Sequence, residues 1–398
     1  MRTRTDILIS GGGVAGLTAA AAFGSAGFSV ICVDPARPVT DGAADNADLR
    51  TTAFLQPSVA VLEAAGLWSR LLPHAAPLQV MRIVDAGGKV PEARIVKDFD
   101  AADISAQPFG WNLPNWLLRR EMLFRLEELP NVAFRAGVGT RTVLTRDSAA
   151  IVTLSDDSRI EARLLIAADG RGSPVRTALG IPVRTTRYGQ KALAFAVSHP
   201  IPHENVSTEI HRSGGPFTLV PLPDRDGRPC SAVVWMESGA EAQRLAALPT
   251  AAFEAEMSER SCHLFGPLTL LGRRSIWPII SQIAARFSGQ RTALIAEAAH
   301  VVPPIGAQGL NMSLADTRVL LELAQAQPES LGRAAMLETY HRRRWPEVQT
   351  RLAGIDLLNR ASMLGQPIMR DARAAALNLL YSARPVRQTL MRAGLGMR

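Results

Sequence analysis

The sequence predicts an α/β fold in which a Rossmann-like domain is interrupted by an antiparallel β-sheet domain and followed by a helical C-terminal segment. Three observations predict it. A glycine-rich turn separates an apolar run from an alanine-rich stretch near the start; two later apolar runs each end on an acidic residue; and several β-prone segments lie between those two runs. Asp6 to Ile9 reads as a buried strand, Val14 to Gly27 as a helix rich in alanine, and Val30 to Val33 as a second strand ending at Asp34. Strand, turn, helix and strand make a βαβ unit. Leu164 to Ala168 before Asp169, and Thr292 to Ala296 before Glu297, read as further strands with acidic residues where doubly wound sheets place ligands. Ala192 to Ser198, Phe217 to Leu222 and Ser231 to Met236, separated by turns such as Asp224 to Pro229, predict the antiparallel sheet. The first domain is therefore expected over 1–75, 100–185 and 280–345, and the second over 76–99 and 186–279. Beyond Trp345 the pattern is helical, with Pro346, Pro367 and Pro385 expected to divide 346–398 into short helices.

A chain of 398 residues, 47% of them hydrophobic, can bury the core that two intertwined domains need. It contains no uncharged apolar stretch of about eighteen residues, and the first apolar run breaks into Gly11, Gly12 and Gly13 rather than a cleavage site. A cytoplasmic protein, peripherally membrane-associated at most, is the expectation. Cys32, Cys230 and Cys262 lack metal-ligand spacing, so neither a disulfide framework nor a metal site is expected. The net charge of +8 is concentrated: residues 342–398 hold 11 Arg against Glu347, Asp356 and Asp371, a surplus of 8 that leaves the remainder neutral. Such a segment suits an anionic membrane surface or an acidic partner, or is a solvated helical face of an arginine-rich protein. No nucleic-acid module accompanies the charge, so nucleic acid is not an expected partner.

Gly11, Gly13 and Gly16 form G-x-G-x-x-G between strand and helix, with Asp34 eighteen residues beyond the last glycine. Gly11 permits the tight turn, Gly13 leaves room for a pyrophosphate, and Gly16 lets helix and strand approach. The helix N-terminus then turns free N–H groups toward the phosphates. Asp34 favours a ribose with a free 2′-hydroxyl, as in FAD or NAD. Asp169 and Gly170, in LLIAADGRGSPVR, form either a simple turn or a ligand-facing strand end. AEAAHVVPPIGAQGLNMSLAD, from Ala296 to Asp316, reads as a Gly/Pro loop entering a helix. Such a loop is either structural or a source of backbone donors for a flat ring that becomes anionic when reduced.

These three motifs, in this order and over nearly the whole chain, resemble the FAD-dependent aromatic hydroxylases of the para-hydroxybenzoate hydroxylase superfamily. FGWNLPNWLLRREM, AEAAHVVPPIGAQGLN and ARPVRQTLMRAGLG look most like its ubiquinone-biosynthesis hydroxylases. The resemblance implies a Rossmann-like FAD-binding domain interrupted by a substrate domain. Gly11, Gly13, Gly16 and Asp34 match its ADP-binding fingerprint. Arg50 in ADLRTTAF matches an arginine near the flavin, and Arg119, with Arg120 as the neighbouring alternative, one that contacts FAD. Asp169 and Gly170 match a motif associated with FAD and the nicotinamide nucleotide. Pro304, Gly306, Gln308, Gly309, Leu310 and Asn311 match the loop along the isoalloxazine ring. Two positions depart from the family pattern. Its usual Gly-Asp is Ala296-Glu297 here, and its Gly-Gln-Gly is Ala307-Gln308-Gly309. Glu297 keeps a carboxylate but is one methylene longer, and a methyl at 307 narrows the angles open to that turn.

The resemblance implies reduction of FAD by a visiting NADPH or NADH, then transfer of one oxygen atom of O2 to an electron-rich phenol, with water excluded. For a polyprenylated phenol, Phe217, Leu219, Pro221, Val233 and Trp235 alternate along two strands as an apolar groove wall or, as such alternation more often marks, a core face. Partners among the ubiquinone-synthesis proteins would be reached through 342–398. No residue declares itself a catalytic base, and His300 reads as structural. Two other readings stay open: a prenyl-chain reductase of the same superfamily, and an accessory subunit that binds FAD or lipid without turnover, which the departures at 297 and 307 motivate.

Overall fold

The structure, a computed structural model, describes residues 2–44, 46–87, 92–212, 214–363 and 380–396. Five parallel strands form the heart of the first sheet, in the order β18 (Thr292–Leu294), β11 (Arg159–Ala167), β1 (Arg2–Ser10), β2 (Val30–Asp34) and β8 (Val132–Ala136). In the central strands the apolar residues run continuously because both faces are covered, as a parallel sheet requires; Ile7, Leu8 and Ile9 are fully buried. A short β17 (Ser288–Gly289) closes one edge. A hairpin of β9 (Thr140–Thr145) and β10 (Ala150–Leu154) pairs with the first half of β11. Helix α1 (Val14–Ser25) is buried on every side from Ala15 to Gly24, which its small side chains permit.

A second, eight-stranded sheet runs β19 (His300–Val301), β16 (Thr269–Ala284), β12 (Val183–Ser198), β15 (Arg228–Ser238), β14 (Pro216–Arg225), β13 (Val206–His211), β5 (Val80–Asp85) and β6 (Ile95–Asp100). A small third sheet, β3 (Thr51–Leu55), β7 (Gly110–Pro114) and β4 (Ala76–Leu78), packs against β14 of the second. Around them stand α2 (Gln56–Ala64), α3 (Trp68–Leu71), α4 (Asn115–Glu127), α5 (Pro174–Ala178), α6 (Gly239–Ala247), α7 (Thr250–Arg260), α8 (Ala296–Ala299), α9 (Gln308–Ala326), α10 (Ala334–Met363) and α11 (Arg384–Leu395). The expected boundaries at 185/186 and 279/280 fall inside β12 and β16. Those sixteen-residue strands cross between the domains, and Ile279, Ile283 and Ala284 of β16 belong to the first core.

The C-terminal expectation needs correcting. Pro346 does not divide the segment; α10 runs through it for 30 residues. The lost backbone bond costs about 3 kcal/mol. Burial on both sides of the proline, of Tyr340 and Arg344 before it and Val348, Leu352 and Ile355 after it, offsets that cost. Residues 342–363 therefore belong to the body of the first domain, and several of their arginines are committed to ion pairs: Arg344 and Arg351 with Glu347, and Arg360 with Asp356. Pro385 stands in the first turn of α11, where proline is tolerated. Pro367 lies outside the described residues.

Candidate cofactor and active site

The glycine turn is fixed by sterics at two positions and left open at a third. Gly11 has φ +111°, and a Cβ there would lie 2.3 Å from the Ala168 carbonyl oxygen; a Cβ on Gly16 would lie 1.9 Å from the Gly11 oxygen. Gly13 has φ −70°, and a Cβ there would meet no protein atom within 4 Å. The protein itself has no steric need for glycine at 13, so the empty volume suits a ligand. The first turn of α1 has no side-chain cap, leaving its amides free for an anion. Asp34 accepts from Gly12 N–H at 2.6 Å and from Ala36 N–H at 2.8 Å, holding the turn against β2.

Asp169 sits beside this turn. Its Oδ2 accepts from Val175 N–H at 3.2 Å, while its buried Oδ1 has no partner among the described residues. Burial raises its pKa, opposed by hydrogen bonds from Ser173 and Val175. Gly170 has φ +83° and open space at its Cβ. The buried Arg176 donates to Ala298 O at 2.8 Å and to Arg171 O at 2.7 Å, tying this loop to α8.

A second cluster forms around Asp48. Arg50 grips its carboxylate with two bonds of 2.8 Å, Arg119 adds one at 3.1 Å and Asn115 another at 3.1 Å. Burial alone would raise the Asp48 pKa, but Arg50, Asn115 and Arg119 bring it down to about 2. Arg50 lies over Trp277 at 5.6 Å and feels the charge of the exposed Glu297. Arg120 instead pairs with Glu121 and Trp116, so Arg119 is the one joined to Arg50. The sequence reading missed Asp48, although it stands two residues before Arg50.

The third part is the loop from 296 to 311. Both family departures adopt left-handed backbone, Ala296 at φ +54° and Ala307 at φ +56° beside Gly306 at φ +62°. The turn keeps a conformation that glycine favours, although it carries methyl groups. An L-residue there costs roughly 1–2 kcal/mol, and part of that is returned because alanine has fewer unfolded conformations. Ala296→Gly and Ala307→Gly are each expected to raise unfolding free energy by about 1 kcal/mol in urea titration; a lower midpoint would remove the strain argument. Asn311 holds the turn: its Nδ2 donates to Ala307 O at 2.6 Å and Ala53 O at 2.8 Å, and its Oδ1 accepts from Leu55 N–H and Ser58 Oγ. Gln308 bridges Gly306 O and Gly394 O. Pro304 and Leu310 are half-buried, Gly309 is exposed, and α9 begins without a side-chain cap.

Behind this loop is a buried charge cluster. Asp316 accepts from His300 Nε2 at 2.7 Å, Arg344 Nε at 2.8 Å and Ala296 N–H at 3.2 Å. His300, itself buried, is held in this cluster by Asp316. Asp316 and Arg344 were legible only as the end of a motif and as one of many tail charges.

The groove-wall reading is overturned by the second sheet's two faces. Phe217, Leu219, Val233 and Trp235 pack with Phe253 and Met257 of α7 and Ala242 and Leu245 of α6, away from the first domain. Pro221 is also buried, its carbonyl accepting from Asn112 Nδ2 at 2.9 Å. Strand alternation puts the neighbouring residues on the opposite face. There, Ala192 and Met236 join the first core, with Val234 and Trp277 packed against it.

An uncapped glycine turn at α1, an arginine pair on the chain beyond it and a glycine-bearing loop entering α9 fit the FAD-binding oxidoreductase class. A family model described as "FAD binding domain" matches residues 4–353, and the chain belongs to that family. It is 34% identical over 98% of its length to "Ubiquinone hydroxylase UbiL" of Rhodospirillum rubrum, covering 89% of that protein. It is 26% identical over 99% of both chains to "3-demethoxyubiquinol 3-hydroxylase" of Escherichia coli. Among solved structures, p-nitrophenol 4-monooxygenase PnpA from Pseudomonas putida shares the fold, with a TM-score of 0.82, 19% identity and full coverage of both chains. The protein is an FAD-dependent enzyme of the monooxygenase class.

Proposed function

We propose that this enzyme hydroxylates the aromatic ring of a prenylated phenol in ubiquinone biosynthesis, using NADPH or NADH and O2. Near-full-length similarity to a protein named as a ubiquinone hydroxylase carries this reading. When bound, FAD would supply electron transfer from the nicotinamide and activation of oxygen. The residues present fit it. The uncapped amides at Gly13 and the first turn of α1 would hold its pyrophosphate, and Asp34 the adenosine ribose. Asp169, Arg50, Arg119 and Glu297 would line its middle, and the stretch from Pro304 and Gly306 to Gln308, Gly309, Leu310 and Asn311 its ring.

The protein's own part is orientation and dryness. Asp48 fixes the two arginines so that their charge is preorganised, and Asn311 fixes the ring-side turn. The inner face of the second sheet, where Val234 and Trp277 are only half-buried, would accept the substrate ring and keep water out. No described residue is assigned proton transfer. A prenylated phenol partitions into a bilayer, so this reading also puts the enzyme at a membrane face.

Purified protein is expected to be yellow and to oxidise NAD(P)H in a phenol-dependent manner, with one oxygen atom of O2 in the product. FAD bound without turnover across prenylated phenols would overturn the reading, as would products saturated in the prenyl chain and free of added oxygen. Val234→Trp should keep FAD but lower kcat/KM roughly tenfold, the scale of overpacking a fitted site. Unchanged kinetics would take the substrate off that face.

A further inference from the structure

Helix α11 is amphipathic in the wrong sense for a helix that helps to build a core. None of its residues is buried. Its polar side chains face the protein: Arg387 Nη2 donates to Asp103 Oδ2 at 3.0 Å, and Gln388 Nε2 to Asp103 O at 2.8 Å. Just before it, Tyr381 donates to Asp98 O at 3.1 Å and meets Phe99 edge-on. At its far end Gly394 O accepts from Gln308 Nε2 at 2.9 Å, so the helix ends on the loop that would carry the flavin ring.

Two of its apolar residues point the other way, while Met391 and Leu395 are half-buried. Val386 is 42% exposed and Leu390 47%, one turn apart on a single face, with Leu380 44% exposed beside the helix. Of the twelve exposed large apolar side chains among the described residues, five lie between 357 and 390, so the exposure is concentrated. Residues 380–396 carry Arg384, Arg387 and Arg392 and no acidic residue, and the sequence from 364 to 398 has six Arg against Asp371 alone. A second copy of this basic chain would meet that face with like charge. An anionic lipid surface complements both features at once, apolar side chains entering the headgroup boundary and arginines meeting phosphates.

We propose that the outward face of α11, Val386 and Leu390, together with the exposed Arg384 in its first turn and Arg392 in its last, docks the enzyme on an anionic bilayer and brings the flavin-side loop to the lipid. Docking itself stands on this face alone; its purpose, access to a prenylated phenol, rests on the function proposed above. Polar latches to Asp103 and Gln308 hold the helix to the body, so the face can engage lipid without the site coming apart.

The test is sedimentation of the FAD-loaded enzyme with phosphatidylglycerol-containing vesicles and with pure phosphatidylcholine vesicles. The wild type is expected to partition onto the anionic vesicles. Val386→Glu/Leu390→Glu and Arg384→Gln/Arg392→Gln should each reduce that partitioning roughly tenfold or more. Flavin content and hydroxylation of a water-soluble phenol should be unchanged in all three proteins. A wild type that stays in the supernatant, equal binding to uncharged vesicles, or variants that bind like the wild type would overturn the proposal. So would a dimer by light scattering that Val386→Glu/Leu390→Glu dissolves, which would assign the face to a second copy. Vesicle binding without hydroxylation would instead sink the proposed reaction and leave the docking face standing.

Discussion

Asp316→Ala is expected to lower the unfolding free energy by about 3–5 kcal/mol, the cost of stranding one member of a buried ion pair. Arg344 is fully buried, its side chain 1% exposed, and would keep its charge with, among the described residues, Glu347 and the Met312 carbonyl for partners. His300 and the Ala296 amide would lose their acceptor as well. Ala296 is already in left-handed backbone, so releasing it should also loosen the turn that carries Glu297 and lower FAD retention. Replacing both partners, as in Asp316→Leu/Arg344→Met, should cost less than Asp316→Ala, because no isolated charge is left behind. If urea unfolding placed the single variant within experimental error of the wild type, the cluster would have no structural role.

The same carboxylate makes a pH prediction. Burial works to raise the Asp316 pKa, but the charges of His300 and Arg344 hold it below the ordinary carboxylate value. A group depressed in the folded state contributes its stability in full above the unfolded pKa, and loses it as pH falls through the folded pKa. The acid limb of a stability-versus-pH curve should therefore flatten in Asp316→Leu/Arg344→Met relative to the wild type; parallel limbs would locate acid sensitivity elsewhere.

Gly11→Ala and Gly13→Ala should behave oppositely. The first puts a methyl 2.3 Å from a carbonyl oxygen on a residue at φ +111°, and should cost about 3 kcal/mol or more, as overpacking and left-handed strain combine. FAD would be lost with the fold of the turn. The second adds a methyl that touches no protein atom, and should leave the FAD-free protein within about 0.5 kcal/mol of wild type. It should nevertheless weaken FAD roughly tenfold or more, since the methyl occupies the space left for the pyrophosphate. Equal FAD affinity in Gly13→Ala and wild type, by fluorescence titration, would move the diphosphate away from α1.

Local chemistry determined much of this protein from sequence alone. The βαβ unit, its glycines and the acidic strand ends were legible because parallel buried strands are continuously apolar and tight turns demand glycine. The same holds for the antiparallel segments at 192–198, 217–222 and 231–236, which are β-prone runs bounded by Gly/Pro/Asp turns. Alternation could not say which core. Phe217, Leu219, Val233 and Trp235 were candidate groove residues until α6 and α7 proved to cover them, and a shift of one residue exchanges the two faces. Pro346 reads as a break by local rules, yet packing on both sides carries α10 through it.

Charge was legible as a sum and not as a set of pairs. Asp48 and Asp316 draw arginines from segments far away in the chain, Arg119 in one case and Arg344 in the other. The sense of α11 was likewise decided only in three dimensions. Its sequence says that one side is apolar, but only the body against which Arg387 and Gln388 lie leaves that side facing outward. Periodicity and turn chemistry act over a few residues and can be read along the chain; the direction a face points, and which charges meet, depend on contacts between segments 28 to 284 residues apart.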